Sequence, residues 1–169
     1  MADAGVRLTV VGDGVALERV RTLADEIDAR NVRFLGSVPM EQMAAVYDAA
    51  DFAAVTLKDL PAFRGTIPSK FQAALAHGVP VVTNVQGDLR HLVESIGLGF
   101  TADSEDVGDL AEALSRAART VGDSHAVMIR RVRETYADLF STESGVSAVE
   151  QILEQCVNND AHRRSTGSN

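Results

Sequence analysis

Phe52-Ala-Ala-Val-Thr-Leu57, Lys58-Asp-Leu-Pro-Ala-Phe-Arg-Gly-Thr-Ile67, Pro68-Ser-Lys-Phe-Gln-Ala-Ala-Leu-Ala-His77, Gly78 and Val79-Pro-Val-Val-Thr83 follow one another without a break. The first six residues are nearly all apolar or β-branched, which predicts a central strand buried on both faces. An irregular stretch with a proline, a glycine and three charges comes next. Pro68 then opens a run of helix formers that Gly78 stops, and a second β-branched run follows at once. Strand, helix and strand in that order form the crossover of a parallel sheet. This stretch alone predicts an α/β fold.

The same alternation extends both ways. Toward the N-terminus, Arg7-Leu-Thr-Val-Val11 runs through Gly12-Asp-Gly14 into a predicted helix over 15–29, with Leu17, Val20, Leu23, Ala24 and Ile27 at helical spacing. A second strand, Val32-Arg-Phe-Leu35, leads through Gly36-Ser-Val-Pro39 to a helix with Met40, Met43, Ala44 and Tyr47 on one face. Pro39 suits its first turn. Toward the C-terminus, residues 85–97 carry Leu89, Leu92, Val93 and Ile96 at helical spacing, and Leu98-Gly-Phe-Thr101 reads as a short last strand. Helices are expected over 106–121, 124–138 and 142–156. The tail 158–169, rich in small polar residues, is expected to be disordered. Neither an internal repeat nor a linker interrupts the chain, so residues 1–157 are read as one domain. The fold class is α/β, a Rossmann-like parallel sheet with helices on both faces and C-terminal helices.

Composition agrees. The 169 residues are 46% hydrophobic and 24% charged, the profile of a globular chain. At this size folding hides roughly 70% of the unfolded surface, so neither metal nor disulfide is needed as a staple. Sixteen basic against 24 acidic residues give a net charge of −8, which repels nucleic-acid backbones and anionic lipid. A local cationic pocket for one small phosphorylated molecule is still compatible with that total. The lone Cys156 has no partner for a disulfide, a redox pair or a zinc site. No apolar run approaches the roughly 18 residues of a spanning helix. Met1-Ala-Asp-Ala-Gly-Val lacks the basic and apolar regions of a signal peptide. The expected location is the cytoplasm.

Two segments have the chemistry of an anion site. Gly12-Asp13-Gly14 lies between a strand and a helix, where free amides and the positive helix end attract phosphate. The dinucleotide fingerprint fails there, since its third glycine falls at Leu17. A turn that merely needs glycine is the competing explanation. The second segment, Arg64-Gly65-Thr66-Ile67-Pro68-Ser69-Lys70, follows the predicted central strand and opens a helix. Its amides, the Thr66 and Ser69 hydroxyls and the Arg64 and Lys70 charges can converge on an anion at the carboxyl end of the sheet. The competing explanation is a hydroxyl-capped helix with both cations in water. His77, His91, His125 and His162 show no metal-like spacing. Asp48, Asp51 and Asp59 read as caps or solvated charges, and the residues alone define no complete active site.

One ordered series of motifs remains. Val10-Val-Gly-Asp-Gly14, Asn31-Val-Arg-Phe-Leu-Gly-Ser-Val-Pro39, Tyr47-Asp-Ala-Ala-Asp51, Ile67-Pro-Ser-Lys70, Ala76-His-Gly-Val-Pro-Val-Val82 and Gly87-Asp-Leu-Arg-His-Leu-Val93 with Gly97-Leu-Gly-Phe occur in sequence. The series resembles the C-terminal, donor-binding half of group 1 (GT4-like) glycosyltransferases of the GT-B fold, in their Pro-Ser-Lys form, over residues 7–155. The resemblance implies a nucleotide-diphosphate sugar as substrate, with no metal and no other cofactor. It implies that residues 64–70, with Gln72 nearby, cradle the diphosphate. It further implies that the backbone at Ser37, Val38 and Pro39 meets the nucleobase, and that Gly12, Asp13 and Gly14 lie near sugar or phosphate. Catalytic residues are not identified.

Three departures qualify that expectation. The family's E-x7-E glutamates align with Gly65 and Ala73, so both carboxylates are lacking. The family's opening βα unit, with the Arg and Lys that neutralise the leaving diphosphate, has no counterpart here. Nor has the acceptor half, and transfer needs both walls of the cleft. The expected role is donor binding within a glycosyltransferase of polysaccharide or glycolipid synthesis, inactive alone. Its partner would be an N-terminal acceptor half, which would carry any peripheral membrane association. The alternatives are a non-catalytic flavodoxin-like interaction module and half of a GT-B sugar-nucleotide epimerase, for which no convincing set of acids and histidines is present.

Overall fold

The computed structural model describes the backbone of residues 5–166 and side chains as far as Cys156. In chain order the elements are β1 (Leu8–Val11), α1 (Leu17–Glu26), β2 (Val32–Gly36), α2 (Met40–Asp48), β3 (Ala53–Val55), α3 (Ser69–Ala76), β4 (Val81–Thr83), α4 (Asp88–Ile96), β5 (Gly99–Thr101), α5 (Val107–Arg119), α6 (Asp123–Thr135) and α7 (Thr142–Thr166). A 3-10 turn, Pro61–Phe63, interrupts the loop before α3, and α6 ends in a π-helical turn, Tyr136–Phe140. Each predicted strand and helix is present, most of them shortened by a few residues where turns begin, while β2 runs on to Gly36 and α6 starts at Asp123. The last helix is longer than its apolar periodicity, and continues into the stretch that composition marks for disorder.

All the ladders are parallel, but they fall into two sheets. β1 pairs with β2, and β3, β4 and β5 form a second sheet in that order. β3 is therefore an edge strand among the described residues, where the apolar run at 52–57 predicts a central one. Val55 is buried while Ala54 is exposed, so only one side of this strand has found cover.

β4 carries the core because its residues alternate between two packed faces. Val81 joins Phe71, Ala74 and Leu75 of α3, Leu89 and Val93 of α4 and Val132 of α6 on one face. Val82 packs with Ala113 and Ala117 of α5 on the other, against partly buried Phe52 and Phe100. Helices thus flank this sheet on both faces. Each large apolar side chain withdrawn from water contributes roughly 1.5–3 kcal/mol, so these two clusters dominate the stability of the domain. Thr83, fully buried between them, donates its hydroxyl to the Val55 carbonyl (2.8 Å) and accepts from the Val85 amide (3.1 Å).

Neither cluster includes a residue before Phe52, apart from partly buried Tyr47 and Ala50 at its margin. The β1–α1–β2 unit is amphipathic in sequence, yet Val20 and Leu23 on α1 and Ile27 at its C-cap are 40%, 53% and 66% exposed. The hydrogen bonds of residues 5–36 stay within the unit. Amides of β1 and β2 should therefore exchange through low-energy local opening, and those of β4 and β5 only near the global unfolding free energy. Hydrogen exchange would contradict this account if both sheets were equally protected.

Candidate functional site

Three loops leave the carboxyl ends of β3, β4 and β5, and side chains lace them together. Asn84, just past β4, accepts from the Leu57 amide (3.0 Å) and donates to the Leu57 carbonyl (3.2 Å), extending the β3–β4 pairing by a side-chain surrogate. Gln86 donates to the carbonyls of Asn84 (3.1 Å) and Ala102 (3.2 Å). Arg90 on α4 reaches Gln86 (3.1 Å), Glu94 (2.8 Å) and Asp103 (2.6 Å). The loop floor is thus ordered by its own chain.

The loop 56–68 is tied to this floor at Asp59 and Arg64. The Arg64 guanidinium donates from Nε and one terminal nitrogen to the two Asp59 carboxylate oxygens (3.0 and 2.8 Å), and Ser104 donates its hydroxyl to Asp59 (3.1 Å). The Arg64 hydrogen bonds, helped by the Ser104 hydroxyl and the guanidinium charge, hold the Asp59 carboxyl below the usual carboxylate range. This corrects the reading of Asp59 as a cap or solvated charge. The Arg64 carbonyl accepts from the Asp88 amide (2.8 Å) at the start of α4.

Past Arg64, Gly65 and Thr66 are exposed, and the Thr66 hydroxyl donates back to the Ala62 carbonyl (3.1 Å). Gln72 lies at the far side of the loop and donates weakly to the Ile67 carbonyl (3.4 Å). Ile67 and Pro68 are half-buried, and Pro68 in extended conformation starts α3 without a side-chain cap. The amides of Phe71 and Gln72 bond the Pro68 carbonyl, whereas those of Ser69 and Lys70 have no acceptor among the described residues. A helix leaves its first amides unpaired unless something caps them. The Ser69 side chain is exposed beside them. Lys70 has no carboxylate within ion-pair distance among the described residues. Amides at a positive helix end beside an ammonium without an ion-pair partner among the described residues have the chemistry to hold an anion.

The other candidates lie together at the end of the first sheet. The Gly12 amide donates to the Gly36 carbonyl (2.7 Å), which brings Gly12, Asp13 and Gly14 next to Ser37, Val38 and Pro39. Pro39 is the N-cap of α2, one residue earlier than its expected place in the first turn. No hydrogen bond joins this group to the 64–72 loop among the described residues. Two surface depressions of about 270 and 450 Å³ are lined by residues of α4, α6 and α7 and the π turn, and include none of the candidates.

The described histidines are structural or solvated. His77, just past α3, stacks on Tyr47 with ring centroids 4.8 Å apart, and burial raises the Tyr47 hydroxyl pKa. His125 Nε2 lies 3.0 Å from the Asp51 carbonyl, and its ring packs against Phe52. His91 is exposed on α4. No metal-binding cluster occurs among the described residues. Sequence reasoning missed Asn84, Gln86, Arg90 and Ser104. An asparagine directly after a strand is the one signal available for any of them.

The family of group 1 glycosyl transferases matches residues 1–120. The chain is 31% identical over 143 residues to the D-inositol 3-phosphate glycosyltransferase of Corynebacterium jeikeium, covering 84% of this chain and 32% of that one. It is 31% identical over 145 residues to WcaL of Salmonella typhimurium, by its name a colanic acid biosynthesis glycosyltransferase, covering 82% and 34%. The chain thus spans about a third of the length of these curated relatives. Among solved structures, a glycosyltransferase from Rickettsia africae superposes with a TM-score of 0.72 at 17% identity, over 91% of this chain and 41% of that one. Anabaena HepE, crystallised in complex with UDP, gives 0.61 at 21% identity, over 90% and 41%. These likenesses establish the Rossmann-like fold, parallel sheets with flanking helices. No helix among the described residues is long and apolar enough to cross a membrane. Ordered motifs, architecture and the match across most of its length agree, and the chain belongs to the group 1 glycosyltransferases.

Proposed function

We propose that this chain is the donor-binding part of a cytoplasmic glycosyltransferase and takes the diphosphate of a nucleotide sugar at the 64–72 loop. The observation that carries the reading is the start of α3. Two unpaired amides, an exposed Ser69 hydroxyl and an uncommitted Lys70 ammonium meet at the carboxyl end of a parallel sheet, where such folds bind ligands. The UDP bound to Anabaena HepE supports the same ligand class. The names of the relatives support sugar transfer, and that of WcaL supports an acceptor in surface polysaccharide synthesis.

In this reading the backbone at Ser37, Val38 and Pro39, just past the first sheet, meets the nucleobase, and an N-terminal acceptor half closes the cleft. The bare apolar faces of α1 and α7 fit such a partner, since Leu23, Ile27, Val149 and Ile152 are each more than half exposed. Without the second wall, water is not excluded and the nucleophile is not held, so the chain alone binds donor and does not transfer it.

Titrating the isotopically labelled chain with UDP should perturb the amides of residues 65–67, 69 and 70. Lys70→Gln should weaken the affinity by about tenfold, the scale of one charge-assisted hydrogen bond. Silence at those amides would reject the donor-site reading and favour a plain interaction module.

A further inference from the structure

The two cations of the 64–72 loop are in different situations. Lys70 is uncommitted, whereas Arg64 is held at both ends: its guanidinium is bound in two-point fashion by Asp59, and its carbonyl by the Asp88 amide. Asp59 is in turn fixed from the loop after β5 by the Ser104 hydroxyl. The loops following β3, β4 and β5 therefore all converge on one residue.

We propose that Arg64 is a positioning residue: it sets the path of residues 65–68 into α3, so that the Ser69 and Lys70 amides face the diphosphate, and it does not lend its own charge to the ligand. The proposal rests on the donor-site reading above. Electrostatics favour it over direct contact. The Arg64–Asp59 pair is neutral as a unit, leaving Lys70 as the net cation of the loop. A phosphate drawing Arg64 away would break a two-point guanidinium–carboxylate pair and leave the Asp59 charge beside its own. The main chain of Arg64 is equally constrained, because a Cβ at Gly87 would stand 2.1 Å from the Arg64 carbonyl oxygen, so the two segments are already in close contact.

Two readings on the 169-residue chain decide the matter, with Asp59→Asn, Arg64→Gln and the double variant. Without ligand, heteronuclear NOE values of amides 65–67 and 69 should fall in each variant while signals of β4 and α4 stay in place. With UDP, each single change should weaken binding by about threefold to tenfold. The double variant should be no worse than the weaker single, as for partners acting as one unit. Arg64→Lys should not restore the wild-type values, because an ammonium lacks the fork. The salt dependence of UDP affinity should drop for Lys70→Gln and not for Arg64→Gln.

Tighter UDP binding in Asp59→Asn with weaker binding in Arg64→Gln would overturn the proposal, since a freed Arg64 would then be reaching the phosphate. Unchanged loop NOE values would overturn it as well. If wild-type chain binds no UDP, the donor-site reading fails, and the ligand-free NOE comparison still decides whether Arg64 and Asp59 order the loop.

Discussion

Phe71→Ala should lower the unfolding free energy by about 3–5 kcal/mol, the usual cost of emptying a large aromatic site in a core. Phe71 is 0% exposed, packs with Val55, Leu75, Leu89 and Val132, and presents its ring edge-on to Phe140 at 5.9 Å. It is thus the residue through which α3, the sheet and the π turn share one core. A domain of this size has roughly 5–15 kcal/mol in total, so the variant should lose about a fifth or more of its stability. Urea unfolding should show the midpoint falling with an unchanged slope. Leu23→Ala on α1 is the control: Leu23 is 53% exposed and should cost well under about 1 kcal/mol. Equal losses in the two variants would show that Phe71 does not anchor the core. The first turn of α3 carries Ser69 and Lys70, so the proposed anion seat depends on the packing of Phe71 beneath it.

Gly87→Ala should abolish measurable nucleotide binding and also destabilise the domain. Gly87 precedes α4 with φ +82° and ψ −134°, a conformation that L side chains rarely adopt. An alanine Cβ there would stand 2.1 Å from the Arg64 carbonyl oxygen, 2.7 Å from its carbon and 2.9 Å from Cα. These are backbone atoms with no freedom to swing aside. Either the start of α4 or the turn at Arg64 must move, and the bond from the Asp88 amide to Arg64 is lost with it. Strain of about 1–3 kcal/mol adds to about 1 kcal/mol for the hydrogen bond. Gly65→Ala is the informative contrast, because a Cβ there meets only Asp88 Oδ2 at 3.9 Å and needs no positive φ. It should fold nearly as the parent does, so a loss of stability confined to Gly87→Ala marks the strain at that position. Normal UDP affinity in Gly87→Ala would show that the 64–72 loop does not depend on its seat against α4.

The alternation of strands and helices was legible from 7 to 140 because hydrophobic period and turn residues act locally. The placement of β3 was not. Its apolar residues at 52–57 predict burial on both faces, but partner strands are supplied by the rest of the fold, and Ala54 is left exposed. At the site, the residue types of 64–70 in their order are what mark the loop proposed to seat the diphosphate. That Arg64 is occupied and Lys70 free was not legible, because Asp59 looks like any loop carboxylate until Ser104 arrives from a strand away. Asn84 and Gln86 share the difficulty, since both act on main-chain groups of other loops, which leave no trace in composition.

The division between a β1–α1–β2 unit outside the core and a tightly packed remainder also bears on substitution tolerance. Side chains on residues 5–36 can change with little penalty to folding, whereas nearly every position on β4 is constrained from both sides. In the proposed reading, base recognition lies at the margin of the tolerant unit and phosphate recognition within the constrained one. Nucleobase preference is then the property most readily altered in descendants or by design, and the diphosphate seat the one most resistant to change.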